Sequence, residues 1–185
     1  CAAPGGKSFQ ILSKKLNVIL NDKSKNRIQI LKSNLKRLKL SAKILNEDFI
    51  RFDNKRKYDV IIIDAPCSAV GTIRKNPEIF FKNKGPNFDK LLSLQENMLE
   101  KASFLLNTDG FIIYMTCSFL QIETIDQVKK FLKLNNNFVL SNLKLRENQK
   151  NYSKLIKNNF MITIPNMIFD YNIDGYFAAF LKKIK

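Results

Sequence analysis

Val60-Ile61-Ile62-Ile63 is an unbroken aliphatic run that stops at Asp64, as a strand buried on both faces and closed by a polar group would. Phe111 to Met115 repeats the pattern and stops at Thr116-Cys117-Ser118. Between them Leu91, Leu92, Met98, Leu99, Ala102, Leu105 and Leu106 recur at helical spacing, with Asp89 the expected N-cap. Upstream, Val18-Ile19-Leu20 ends at Asn21-Asp22, and Ile28, Leu31, Leu35 and Leu38 mark a helix whose other face carries Lys32, Lys36 and Lys39. Ala42 to Leu45 is a further short run, ended by Asn46-Glu47-Asp48, while Ile125, Val128, Phe131 and Leu132 mark another helix. Strand alternating with helix predicts an α/β fold with a mostly parallel sheet. Met161 to Ile164 and Tyr176 to Leu181 have no helix-length pattern between them and read as a closing antiparallel pair. In such folds ligands sit beyond the carboxyl ends of the strands. Asp22, Asp48, Asp64 and Cys117 all end apolar runs, so they are expected to converge on one crevice.

At 185 residues with no Pro- or Ser-rich linker, a single domain is the economical reading. No apolar run approaches the roughly 20 residues that span a bilayer, and no signal peptide opens the chain. Three widely spaced cysteines, Cys1, Cys67 and Cys117, suit free thiols in a reducing cytoplasm. The chain has no histidine, so it supplies no imidazole for a triad, a zinc site or acid–base work, and no metal is expected. A net charge of +16 points first to nucleic acid and second to a membrane surface. Richness in Lys, Asn and Ile accounts for the same charge with no partner at all.

Two segments carry candidate chemistry. In Cys1-Ala2-Ala3-Pro4-Gly5-Gly6-Lys7, small residues and a Gly pair precede the helical segment Ser8 to Leu16, which lets backbone approach a ligand closely. Asp22 at the next strand end can accept hydrogen bonds from ribose hydroxyls, or cap the following helix, a task Ser24 does equally well. Asp64-Ala65-Pro66-Cys67-Ser68-Ala69-Val70-Gly71-Thr72 puts an acid, a proline and a thiol together after a buried strand. Pro66 stiffens that backbone by fixing its own φ and restricting Ala65. A free cysteine is usually an inert core residue. Two thiols at neighbouring strand ends, one beside an acid, argue for more.

These motifs resemble the signatures of the RNA cytosine-C5 methyltransferases that use S-adenosylmethionine. The likeness runs from Cys1–Lys7 through Asp64–Thr72 and Thr116-Cys117-Ser118 to the closing strand Asp174-Gly175-Tyr176-Phe177-Ala178-Ala179. Ile73 to Ile79 further resembles the Fmu/Sun group, which acts on bacterial small-subunit ribosomal RNA. The resemblance implies a Rossmann-like methyltransferase fold, with Cys1, Ala2, Ala3, Pro4, Gly5, Gly6 and Lys7 around the cofactor. It implies Asp22 on the ribose, Asp48 beside the adenine and Asp64 facing both cofactor and base. Cys117 is then the nucleophile and Cys67 assists product release. A thiolate adding at carbon 6 of cytosine makes carbon 5 electron-rich enough to accept a methyl group, which is covalent catalysis on an exposed or flipped base.

The family's Glu-Asn pair after the second thiol is replaced here by Gln121-Ile122-Glu123-Thr124, with Glu123 a candidate to keep the acidic role. The chain also starts inside the first motif. The expectation is therefore a catalytic domain, residues 1–185, whose first and central strand and upstream RNA-binding domain lie outside it. Two other readings compete: an RNA-binding protein that keeps the fold with impaired catalysis, and a methyltransferase acting on the amino group of adenine. Enzymes of the latter kind carry Asn/Asp-Pro-Pro-aromatic where this chain has Asp64-Ala65-Pro66-Cys67.

Overall fold

The computed structural model describes residues 1–53, 56–81, 85–143, 145, 147–165 and 173–185. The chain divides into two compact units, Cys1–Asn54 and Lys55–Lys185.

The first unit runs α1 (Gly6–Leu12), β1 (Ile19–Asn21), α2 (Lys25–Arg37) and β2 (Lys43–Leu45). β1 and β2 pair in parallel, Leu20 opposite Ile44. Ile28, Leu31 and Leu35 form one stripe of α2 and bury against Ala3, Leu12 and Leu20. Ser24 caps α2 by accepting from the Arg27 amide, and Lys36 and Arg37 sit in the last turn, where cations suit the helix dipole. Leu38, expected on the buried stripe, is exposed, because the helix has already ended at Arg37. α1 is shorter than the segment Ser8 to Leu16, and the turns that follow it include Lys15 at positive φ.

The second unit runs β3 (Tyr58–Asp64), two 3-10 turns (Val70–Thr72 and Pro77–Phe81), α3 (Phe88–Leu105) and β4 (Leu106–Thr116). A 3-10 turn, Gln121–Glu123, then leads into α4 (Ile125–Leu134) and β5 (Phe138–Leu140). A 3-10 segment, Glu147–Leu155, precedes β6 (Ile156–Lys157), β7 (Phe160–Thr163) and β8 (Tyr176–Lys183). Strand order is β3-β4-β8-β7-β6, with β5 also on β8. β3 and β4 are parallel, while β8 runs antiparallel to β4, β5 and β7. The antiparallel part thus reaches beyond the expected closing pair. Met98, Leu99, Ala102 and Leu105 bury the inner stripe of α3, and Ile112, Tyr114, Phe177 and Leu181 are fully buried in the sheet. Asn87 rather than Asp89 caps α3, accepting from the Lys90 amide at 3.0 Å; Asp89 sits in the first turn.

β3 corrects the expectation of a strand buried on both faces. Ile63 is buried, but Val60 is 49% and Ile62 39% exposed. Among the described residues its one sheet neighbour is β4, and an edge strand with α3 against one face leaves alternate side chains uncovered.

Candidate active site

In parallel neighbours both chains leave the sheet at the same edge. Asp64 closes β3 opposite Met115 of β4, and the Ala65 amide extends the ladder to the Met115 carbonyl at 2.9 Å. Cys67 lies three residues past Asp64, and Cys117 directly follows the last residue of β4. Their sulfurs stand 3.4 Å apart, and neither forms a disulfide. The hydrogen bond with Cys117 and then burial push the Cys67 thiol far above the ordinary cysteine range, with the negative charge of Glu123 adding to it. A thiol held this way keeps its proton. Either sulfur can donate in the contact between them.

Three sequence-distant segments lock the pair in place. The Gly71 amide donates to the Cys117 carbonyl at 3.0 Å, and the Gly175 amide donates to the Gly71 carbonyl at 2.7 Å. A Cβ on Gly71 would lie 2.0 Å from the Gly175 oxygen, so only glycine fits this crossing. Beside it Asp174, nearly buried, pairs with Arg74 at 3.3 Å and Lys75 at 2.6 Å. Beneath the turn, Gln95 of α3 donates to the Pro66 carbonyl at 2.8 Å. Glu123, fully buried, accepts from the Ser68 amide at 2.7 Å and hydroxyl at 2.5 Å. Burial raises the Tyr114 hydroxyl pKa, and that hydroxyl donates to the Glu123 carbonyl at 2.8 Å.

In the first unit, Cys1 to Lys7 form a tight turn into α1 with a cis Ala3–Pro4 bond. Gly5 takes φ 118°, where a side chain would also strike the Phe9 ring, and Gly6 has open space where a Cβ would stand. Asp22 ties this turn to the end of β1. Its carboxylate accepts from the Ala3 amide at 3.1 Å and the Ser24 amide at 3.0 Å, with Arg27 at 3.6 Å, and it is only 3% exposed. Ser24 holds the capping position, so Asp22 is not the cap. Asp48 is partly exposed, and the hydrogen bond from Lys23 at 2.8 Å holds its carboxyl below the usual range.

The four strand-end groups thus divide two and two, Asp22 and Asp48 in one unit, Asp64 and Cys117 in the other. The sequence reading did not single out Gln95, Ser68 or the Gly71–Gly175 crossing. Gln95 left a signal, a polar residue inside the apolar stripe of α3. The glycine crossing left none. Among the described residues no group of three His, Cys, Asp or Glu could hold a metal, and no helix is long and apolar enough to cross a membrane.

The family model described as 16S rRNA methyltransferase RsmB/F matches residues 1–182. Ribosomal RNA small subunit methyltransferase B of Shewanella oneidensis is 36% identical over 137 residues, covering 71% of this chain and 32% of that protein. The protein of the same name from Pectobacterium atrosepticum is 38% identical over 137 residues, with the same coverage. The chain therefore spans about a third of the length of these curated relatives. NSun6 from Pyrococcus horikoshii, solved with SFG, superposes with a TM-score of 0.82 at 26% identity, covering 100% of this chain and 47% of that one. The architecture is the mixed α/β, Rossmann-like fold of methyltransferases.

Proposed function

Because this chain belongs to the RsmB/F family of 16S rRNA methyltransferases, we propose that it forms the catalytic domain of a cytoplasmic enzyme methylating carbon 5 of a cytosine in small-subunit ribosomal RNA. The methyl donor in this reading is S-adenosylmethionine. The observation that carries the carbon-5 chemistry is the pair of sulfurs 3.4 Å apart at adjacent strand ends. An enzyme acting on an exocyclic amino group needs no thiol, and the Asp64-Ala65-Pro66-Cys67 segment lacks the second proline and aromatic residue of that class.

The residues of the first unit fit the cofactor. Gly6 leaves backbone open at the turn, with nothing over its missing side chain, and Asp22 braces that turn through Ala3. Asp22 and Asp48 would supply carboxylates toward the ribose and adenine. When bound, the cofactor supplies a methyl group on an electrophilic sulfonium.

The remaining chemistry belongs to the second unit. Cys117 adds through sulfur to carbon 6 of the flipped cytosine, and the ring electrons move toward carbon 5 and N3. Asp64, sharing a proton with N3, stabilises that charge, and carbon 5 is then nucleophilic enough to accept a methyl group from a bound sulfonium donor, which would leave as a thioether. The carbon 5 proton then leaves to water, the 5,6 double bond re-forms, and the carbon 6–sulfur bond breaks with its electron pair going to Cys117. The Cys67 thiol, its sulfur 3.4 Å from that of Cys117, would donate to the departing sulfur and stabilise it.

The product identifies the reaction. Full-length protein given 16S rRNA and methyl-labelled S-adenosylmethionine is expected to place label in 5-methylcytidine after digestion to nucleosides. Label in a methylated adenosine, or RNA retained with no label at all, would overturn the reading in favour of an amino-group enzyme or a binding-only protein. The charge of +16 should show as a steep loss of RNA affinity when salt rises from about 50 to 200 mM, as counterion release predicts. Cofactor affinity, measured in the same titration series, should change far less. A flat salt dependence for RNA would mean that the lysine-rich faces do not grip phosphates.

A further inference from the structure

Glu123 has a peculiar position for an acid. It is fully buried, and no ion pair reaches it among the described residues. Burying a carboxylate is costly unless hydrogen bonds compensate. Here the two short hydrogen bonds to its carboxylate both come from Ser68, the residue after Cys67. The Ser68 amide and hydroxyl donate to its two oxygens, and the Gln95 amide reaches it at 3.4 Å while donating to the Pro66 carbonyl. Pro66 and Ser68 flank Cys67 on either side. The acid is fixed in turn from its own backbone, since its carbonyl accepts from buried Tyr114 and its amide donates to Leu120 at 3.0 Å. Tyr114 lies on β4 three residues before Cys117, so the strand that anchors the acid leads directly into the second thiol.

We propose that Glu123 is a positioning residue for Cys67: it holds the Pro66-Cys67-Ser68 turn so that the Cys67 sulfur stays against the Cys117 sulfur, and it thereby governs release of the methylated product. The inference rests on the thiol roles in the proposed function. Losing Glu123 leaves attack intact, because Cys117 is held separately by β4 and by the Gly71 amide. Release suffers, because a displaced Cys67 no longer donates toward the departing sulfur. The charge of Glu123 works in the same direction, helping to keep the Cys67 thiol protonated.

The test uses full-length protein, 16S rRNA and S-adenosylmethionine, reading protein–RNA adduct on denaturing gels beside single-turnover methyl transfer. Glu123→Ala is expected to accumulate adduct as Cys67→Ala does, with release slowed about a hundredfold by misplacement of one group. The first methyl transfer should stay within about threefold of the parent, since the attacking sulfur has not moved. Glu123→Gln, which keeps an oxygen for the Ser68 amide, should restore much of the turnover. A purely structural role would lower attack and release together and leave no adduct. If Glu123→Ala does not fold, Ser68→Ala removes the hydroxyl arm alone and decides the matter, with adduct expected and its absence overturning the proposal. Adduct with Cys67→Ala but none with the Glu123 and Ser68 variants sinks this inference alone. No adduct with Cys67→Ala, and no 5-methylcytidine from the parent, sinks the function beneath it.

Discussion

Full-length protein carrying Cys67→Ala, mixed with ribosomal RNA and S-adenosylmethionine, is expected to stall as a covalent protein–RNA adduct, and adding Cys117→Ala should abolish it. The expectation comes from two sulfurs 3.4 Å apart that are placed differently, Cys117 directly after β4 and Cys67 in the turn beyond β3. The contact with Cys117 and burial hold the Cys67 thiol in its protonated form, so in the proposed mechanism Cys67 donates and Cys117 attacks. Removing the donor leaves the attacking group in place on β4. It takes away the partner that stabilises sulfur as it leaves carbon 6. Turnover should fall by about 10²–10⁴-fold, the span associated with one well-placed proton donor. Cys117→Ala alone should abolish methyl transfer and form no adduct. Denaturing electrophoresis of RNA-bound protein, with cofactor present and absent, separates these outcomes. Adduct in Cys117→Ala and none in Cys67→Ala would reverse the assignment, making Cys67 the attacking thiol.

The two thiols were legible in the sequence because the signal was local at each end: an apolar run, a polar stop and a cysteine, twice. Parallel pairing of β3 with β4 does the rest, bringing both strands out at one edge. The helices were legible for a similar reason, since Ile28, Leu31 and Leu35, or Met98, Leu99 and Ala102, repeat within a single segment. Cover on the faces of a strand was not. Val60 and Ile62 read as core, yet their burial depends on what lies beside and over β3, which no window of its own sequence records. β5 and β6, of three and two residues, are too short to show a period. The N-cap of α3 went to Asn87 over Asp89 because both are good caps within two residues of each other, and propensity alone does not choose between them. Glu123 was noticed as an acid, but its hydrogen bonds span 55 residues to Ser68, a relation that only the fold creates. Asp22 shows the same limit. Its place after an apolar run suggested a ligand, and the structure adds that it braces the glycine turn.

Gly71→Ala should be among the most damaging single substitutions in the second unit, although the alteration is one methyl group. The added carbon would stand 2.0 Å from the Gly175 carbonyl oxygen, 2.7 Å from its carbon and 2.9 Å from the Cys117 oxygen. All three are backbone atoms, so no rotamer change relieves the contact and whole segments must separate. Separation breaks the bonds from Gly71 to Cys117 and from Gly175 to Gly71. Overpacking of this kind, together with lost backbone bonds at a buried crossing, is expected to cost about 3 kcal/mol. Denaturant unfolding of the full-length protein measures it as a lower midpoint. Gly85→Ala, where a Cβ meets nothing within 4 Å, serves as the comparison and should leave the midpoint within error. Residual folded Gly71→Ala protein should also lose adduct formation in the Cys67→Ala background, because the carbonyl next to the attacking sulfur has been pushed away. An unchanged midpoint would mean that the segment at Gly175 gives way without strain, and that the crossing does not hold Cys117 in place.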